Sequence, residues 1–575
     1  MNISRKTGDL HVKNVYQALR EYLSGNSIQN VSDTTKKTVD YLVQRYPDIK
    51  EVYCKFETEQ PDHNPDLRLL LDNDKEVKIN LFYINGKSPI QPKNLGAKSF
   101  LEKYFLSPKM QFVFNDYFIQ EYNFYLKSIL ETRENEDFYS QTAELKKKVK
   151  SYYPSFTSEI NSIRQKFLFC LREYCFKLLK EEYNEVSDSI QHAFKEFFML
   201  DSTIIITRYY NGNKSSYVEE LTFNVDKENE INIYKIGNDT IGIRCGEEAL
   251  TIRFKFESSP ISSVKLATSY KKFPSEKKLI EKNKRTILKF ESIIKNHQQI
   301  ENKNISDPIG KCNEAMIYYQ LLKNNLEINQ VDPNEYCTML GEHSPKIKLQ
   351  DLLALQQASE ITIQKLNEYL KNKYGVYKID SIQLVPDSYL KDRLNTADLQ
   401  LILFIDNKYI EEAFSLKALS NKNTTLNVKN PGIGQILGPQ YFHVGDLSDV
   451  VSETKQLFLK GAIDHQNSLQ KVSEELGVKL ALATQANLRK GIQAILGNST
   501  VVITFYKHND SKVLKYNDVD SEIFVLKQHP RPTHTTLYWN DEQEKLSLRV
   551  KFVGGQSKGW SSLKLACGFK ISIKD

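Results

Sequence analysis

The sequence predicts an α/β protein made of two tandem copies of one plan, each a mixed sheet flanked by helices and followed by a β-rich subdomain. Three repeated segments carry that expectation. Asp201-Ser-Thr-Ile-Ile-Ile-Thr207 returns as Asn498-Ser-Thr-Val-Val-Ile-Thr504. Leu-Thr-Ile-Arg253-Phe-Lys255-Phe256 returns as Leu-Ser-Leu-Arg549-Val-Lys551-Phe552, and Ile261-Ser-Ser-Val-Lys265-Leu-Ala267 as Trp560-Ser-Ser-Leu-Lys564-Leu-Ala566. Matches in one order at a nearly constant offset set the domain count before any finer reading.

Within each copy the elements follow from periodicity. Val12, Val15, Tyr16, Leu19 and Leu23 recur at helical spacing over 10–24, and a second helix is expected at 34–45. Strands are expected at 51–56, 67–71 and 76–84, the last two joined as a hairpin by the turn residues Asp72-Asn-Asp-Lys75. Residues 98–200 read as helical, their aromatic faces (Phe167 to Leu171, Phe194 to Phe198) as core, and 201–270 as strands. The Lys-, Glu- and Asn-rich stretch 271–305 reads as part solvated helix, part linker. The cycle then restarts with helices near 313 and at 358–373, a hairpin at 398–419, helices over 446–496 and strands from 500 onward. The expected domains are 1–200, 201–270, the linker 271–305, 306–497 and 498–575.

Composition narrows the class. A chain of 575 residues with 40% hydrophobic and 26% charged residues is that of a globular protein. No stretch approaches the roughly 18 apolar residues of a membrane span, and the N-terminal segment lacks the apolar region of a secretory leader. Seven cysteines without CxxC spacing suggest neither a zinc site nor a disulfide framework, so a cytoplasmic setting is expected. A net charge of +7 suits a polyanionic partner without requiring one.

The chemistry concentrates in the second hairpin. Folding it about Ile405-Asp-Asn-Lys408 brings Asp398 near Ser415 and Lys417, which strand alternation puts on one face. Glu314, upstream in Gly310-Lys-Cys-Asn-Glu-Ala315, opens an expected amphipathic helix and is a further carboxylate. A carboxylate beside a lysine suits a divalent cation polarising a phosphodiester next to a positive side chain. Each residue also has an ordinary role: Glu314 near a helix N-terminus, Asp398 in a turn, Lys417 on a solvent face.

A helix Glu, an Asp opening a hairpin and Ser-x-Lys on the return strand resemble the PD-(D/E)XK nuclease superfamily, and type II restriction endonucleases in particular. The resemblance covers 310–442. It implies a Mg²⁺-dependent endonuclease acting on double-stranded DNA, with Asp398 and Glu314 as metal ligands and Lys417 positioning or activating water. It also implies a companion DNA methyltransferase, and a chain acting as a monomer with an internal pseudo-twofold or as a homodimer. Ser415 departs from the carboxylate usual at its position; Glu412, three residues earlier, and Glu314 are the candidate substitutes.

Lys422, Asn423, Lys429, Asn430 and Gln435 form a polar, Gly-containing loop after the hairpin that suits DNA contact. Gly432-x-Gly434-x-x-x-Gly438 misses the dinucleotide fingerprint by one residue, and no GxxxxGK[ST] occurs. Arg549, Lys551, Lys558 and an exposed Trp560 suit a DNA-facing strand and loop, with Arg253 and Lys255 as first-copy counterparts; a plain sheet edge is the competing reading.

Pro65-Asp66…Glu76-Val-Lys78 matches the motif textually in the first copy. Segment-by-segment comparison of the copies instead sets Asn80 against Ser415 and Phe82 against Lys417 in a gapless match of 76–87 with 411–422, Asp66 against Asp398 through Pro65-Asp-Leu-Arg-Leu and Ala397-Asp-Leu-Gln-Leu, and His11 against Glu314 through the first helices. The first copy on this register is a degenerate site retained for DNA contact. A non-cleaving DNA-binding protein, a nuclease with both copies active, and a protein-interaction scaffold remain as alternatives.

Overall fold

The computed structural model describes residues 3–571 other than 28–30, 59–64, 93, 133–140, 186, 211–215, 224–230, 301–304, 386–395, 407, 423–424, 542 and 554–558. The chain forms two compact units, Met1–Ser275 and Glu276–Asp575. The first contains α1 (Ile3–Leu23), α2 (Asp33–Arg45), β1 (Ile49–Cys54), β2 (Leu67–Leu71), β3 (Glu76–Asn85) and β4 (Asn94–Gly96). Helices α3 (Phe100–Phe105), α4 (Pro108–Glu131), α5 (Thr142–Tyr152), α6 (Asn161–Glu185) and α7 (Ser187–Phe198) follow. Strands β5 (Thr203–Tyr209), β6 (Tyr217–Leu221), β7 (Ile231–Ile236), β8 (Thr240–Cys245), β9 (Glu248–Phe256) and β10 (Val264–Lys272) complete it.

The second unit runs α8 (Glu276–Lys295), α9 (Ser306–Asn324), β11 (Asn329–Gln330), α10 (Glu335–His343), α11 (Leu349–Tyr374), β12 (Lys378–Leu384), β13 (Leu399–Ile405), β14 (Lys408–Leu419) and β15 (Leu426–Asn427). It continues with α12 (Ser448–Leu459), α13 (His465–Ala481), α14 (Gln485–Leu496), β16 (Thr500–Phe505) and β17 (Asp510–Leu514). It ends in β18 (Phe524–Leu526), β19 (His534–Trp539), β20 (Glu544–Phe552) and β21 (Leu563–Ile571).

Both units lay their strands out in one order. The first sheets are β1-β2-β3-β5-β6 and, with β11 added at the edge, β12-β13-β14-β16-β17; the second are β4-β10-β9-β8-β7 and β15-β21-β20-β19-β18. In each first sheet one central pair, β3 with β5 and β14 with β16, is parallel. A parallel neighbour requires a long crossover, and the helices between β4 and β5 and between β15 and β16 supply it. Registers also agree: Phe82 pairs with Ile206, and Lys417 with Ile503.

Alternation on β13 separates two environments. Leu399, Leu401, Leu403 and Ile405 join Phe414, Leu416 and residues of α9 and α11 in one core. The opposite face holds Ser381, Gln383, Asp398, Gln400 and Ser415, all buried. That buried polar face carries the candidate residues Asp398 and Ser415.

Two expectations are corrected. Helix α9 starts at Ser306, not near 313, and Cys312 through Leu322 are all buried, so it is a core helix rather than an amphipathic one. Within 271–305, α8 buries Leu279, Phe290 and Ile294. Strand β12 and helix α10 had no counterpart in the sequence reading. The aromatic faces of α6 and α7 do pack into the first unit's core. No helix among the described residues is long and apolar enough to cross a membrane.

One glycine is fixed by packing. A Cβ on Gly491 of α14 would lie 2.1 Å from the Phe442 ring. Gly491→Ala should therefore destabilise the protein by about 1–3 kcal/mol, read as a lower urea midpoint; an unchanged midpoint would show that the ring is free to move aside.

Candidate active site

The turn between β13 and β14 accommodates Asp406 at φ 47°, and the ladder zips from Ile405 opposite Lys408 to Leu399 opposite Phe414. One step further lie Asp398 and Ser415. Asp398 Oδ2 accepts the Leu416 N–H at 2.6 Å and the Ser415 hydroxyl at 3.3 Å. Lys417 Nζ lies 3.5 Å from the same oxygen, with side chains 9% exposed for Asp398 and 28% for Lys417. The carboxylate is buried and compensated, while the lysine end reaches solvent. Asp398 Oδ1 takes part in none of the bonds found among the described residues.

Glu314 is buried in the third turn of α9, past the reach of the helix dipole. Lys311 Nζ holds both its carboxylate oxygens, at 2.9 and 3.0 Å, and α9 packs on β14. Glu412 is placed elsewhere. Alternation puts it on the face opposite Ser415 and Lys417, where Lys373 Nζ at 2.5 Å and the Tyr374 hydroxyl engage it. It does not join Asp398.

Glu335 was missed from sequence. It lies at the start of α10, just past β11, half-buried; burial, then Asp332, raise its carboxyl to about 7 against the opposing pull of Lys311. A shifted carboxyl at the end of a sheet is a functional-site signal that spacing does not reveal.

The expected DNA contacts divide. Lys422 is ion-paired to Asp510 at 2.5 Å, and Asn430 Oδ1 accepts the Cys567 N–H at 2.8 Å. Lys429 is half-exposed and Gln435 exposed; Asn423 and Lys558 lie outside the described residues. Arg549 is exposed, and Lys551 stands directly opposite Lys564 on β21. Burial, Lys564 and Arg549 together lower the Lys551 ammonium. The first unit repeats the juxtaposition with Lys255 opposite Lys265, whereas Arg253 bonds Asp239 at 3.0 Å. Trp560 is not exposed: it packs against Phe458 and Phe552, with ring centroids 5.6 and 5.3 Å away.

In the first unit Asp66 Oδ2 accepts the Leu81 N–H at 2.7 Å, the counterpart of the Asp398 bond. Asn80 donates to Ser202 Oγ at 2.7 Å, and Phe82 packs against the Ile90, Ile204 and Ile206 cluster. His11 is buried 3.2 Å from Thr207 Oγ1 and stacked on Tyr83, and burial lowers its imidazole to about 4, so it is neutral. Glu76 stands opposite Leu70, with Arg68 at 3.8 Å, and Lys78 lies 3.4 Å from Asp201, all four charged groups more than a third exposed. The literal motif is thus a pair of surface charges away from Asp66.

A compensated carboxylate and a lysine thus stand together on a mixed sheet, and sequence comparison gives the class of the protein. The chain belongs to the type II restriction enzymes, site-specific deoxyribonucleases. It is 42% identical over 562 residues to the type II restriction enzyme BsuRI of Bacillus subtilis, covering 98% of this chain and 98% of that one. No family model matches the sequence.

Two outcomes follow from the geometry. Glu412→Gln should leave DNA cleavage intact while lowering stability by about 1–3 kcal/mol through the lost charged partner; a cleavage defect in a folded variant would return Glu412 to the site. Glu335 has a folded pKa above its unfolded value, so the stability it contributes is full below about pH 4.3 and is lost as pH rises through about 7. Glu335→Gln should therefore match the parent's stability near pH 4 and exceed it by about 1–2 kcal/mol at pH 8, measured by denaturation across pH.

Proposed function

We propose that the second unit hydrolyses phosphodiester bonds of double-stranded DNA at a PD-(D/E)XK-type site, and that the first is a diverged tandem copy retained for DNA contact. The observation that carries this is Asp398: buried, oriented by the Leu416 N–H, and within ion-pair distance of Lys417.

Mg²⁺ fits the donor set. It takes one or two carboxylates and fills its remaining positions with water and substrate phosphate. Asp398 offers Oδ1; Glu314, held by Lys311 on a helix that packs on the apolar face of the sheet, is the second carboxylate we assign. Bound Mg²⁺ supplies phosphate polarisation and a water of lowered pKa. Lys417 holds its ammonium where negative charge develops on the phosphate and orients the attacking water, needing no reorganisation because Asp398 fixes it. Ser415 and the Leu416 N–H keep Asp398 Oδ2 occupied, so Oδ1 faces the reaction.

The outward face of β20 and β21 supports DNA contact. Like charges directly opposite one another across a ladder are unfavourable, and a phosphate backbone relieves them at Lys551 and Lys564. Lys429, Gln435 and Arg549 are the remaining contacts we assign. The repeated strand order supports duplication, with the chain acting as a pseudo-twofold monomer or as a homodimer. A nuclease of this kind also requires a companion methyltransferase to protect its own DNA.

The test is cleavage of supercoiled plasmid with Mg²⁺. Asp398→Ala and Lys417→Ala should each lower the rate by roughly 10²-fold or more, whereas Glu76→Ala and Lys78→Ala should cut as the parent does. Lys417→Ala should still bind DNA with a steep salt dependence. Full cutting by Lys417→Ala, or its loss in the Glu76 and Lys78 variants, would refute the assignment.

A further inference from the structure

The first unit compensates its carboxylate from the opposite side. Lys55 N–H donates to the Asp66 carbonyl at 3.1 Å, as Val385 N–H donates to the Asp398 carbonyl at 3.0 Å, so Lys55 holds the ladder position that Val385 holds in the second unit. Phe82 in turn holds the position of Lys417, each paired to the equivalent isoleucine of the next strand. Cation and apolar side chain have changed places around one aspartate. The Lys55 ammonium lies 2.8 Å from Asp66 and 3.4 Å from Asp9 of α1. Its side chain is 16% exposed, those of Asp66 and Asp9 14% and 27%. Burial pulls the Lys55 ammonium down, but Asp66 and Asp9 outweigh it and leave it raised overall.

We propose that Lys55 occupies the seat of a divalent cation, so that Asp9 and Asp66 form a latent hard-metal site filled by the chain's own lysine. The proposal deepens the reading of the first unit as a non-hydrolytic copy and rests on it. Two half-buried carboxylates reached by one cationic centre are the arrangement a hard cation takes with oxygen ligands. A lysine supplies the charge permanently but can neither polarise a phosphate as a Lewis acid nor acidify water. Asp66 thus keeps its bond to the Leu81 N–H, and with it the junction of β2 and β3, whatever the metal concentration.

The experiment counts Mn²⁺ bound per full-length chain without DNA, by the electron paramagnetic resonance signal of free Mn²⁺, together with thermal melts with and without Mn²⁺. Lys55→Met, similar in length and uncharged, should bind one more Mn²⁺ than the parent, and the double variant Lys55→Met/Asp66→Asn should lose that gain. A Lys55→Met protein that folds only with Mn²⁺ present would equally support the proposal. An unchanged Mn²⁺ count, or a variant unfolded with and without Mn²⁺, would overturn it. Asp398→Asn separates the two readings: if the parent and Asp398→Asn bind equally, the second-unit site fails, while a gain in Lys55→Met still upholds the first-unit seat.

Discussion

Burying a carboxylate beside the end of a strand is the constraint around which each unit is arranged. An uncompensated charge there would be prohibitively costly. The chain meets that cost in the same way twice, with the backbone N–H of the return strand: Leu416 for Asp398 and Leu81 for Asp66. That bond exists only if the hairpin is in register, since a slip by one residue would turn every side chain to the other face. The apolar series Leu399, Leu401, Leu403 and Ile405 holds the register by being buried against α9 and α11. Core packing therefore positions the chemistry, although the two lie on opposite faces of the sheet.

The second charge needed by each carboxylate is where the units part. In the second unit it comes from Lys417, on a side chain long and exposed enough to meet a substrate. In the first it comes from Lys55, shared with Asp9, while Phe82 fills the other side with apolar bulk. One scaffold thus supports two electrostatic arrangements around a carboxylate, and the difference lies in which neighbouring strand presents the cation. The β-rich sheets do not diverge in this respect, because both set lysines opposite one another: Lys255 with Lys265, and Lys551 with Lys564. Such pairs oppose folding slightly, and a polyanion is the partner that turns them to advantage.

Much of this was legible in the sequence because it is local. The hairpin at 398–419 follows from turn chemistry and alternation, and so does the meeting of Asp398, Ser415 and Lys417. The repeat placed Phe82 against Lys417, and the sheet registers set both beside equivalent isoleucines. What was not legible depends on which side of an element faces what. Glu412 and Ser415 are three residues apart, an odd step on a strand, so they cannot share a face, and Lys373 and Tyr374 claim Glu412. The helix bearing Glu314 carries too few polar residues from Cys312 to Leu322 to show a solvent face, and its earlier start at Ser306 follows from burial rather than a cap. Trp560 looks exposed beside glycines and serines, yet Phe458, far off in sequence, covers it. Lys55 was invisible for the same reason, since its partners Asp9 and Asp66 flank it from a helix and from a neighbouring strand.

Under the function we propose, the exchange of cation between strands bears on how a nuclease copy would be silenced. Losing the lysine alone would leave a half-buried aspartate compensated only by a backbone N–H, destabilising the hairpin that it joins. A substitution of Lys417's counterpart by an aromatic residue is tolerable only if another positive charge reaches the carboxylate, and the position before it on the ladder's other side is the nearest one available. Lys55 stands there, while the second unit, which keeps its lysine on the return strand, has Val385 at that place. A cation on both sides would crowd the aspartate with charge and block the oxygen a metal requires; a cation on neither would leave it unpaired. Beside its carboxylate each unit therefore sets one lysine, and in the reading we propose the side that carries it decides whether the carboxylate is free to take a metal or is already taken.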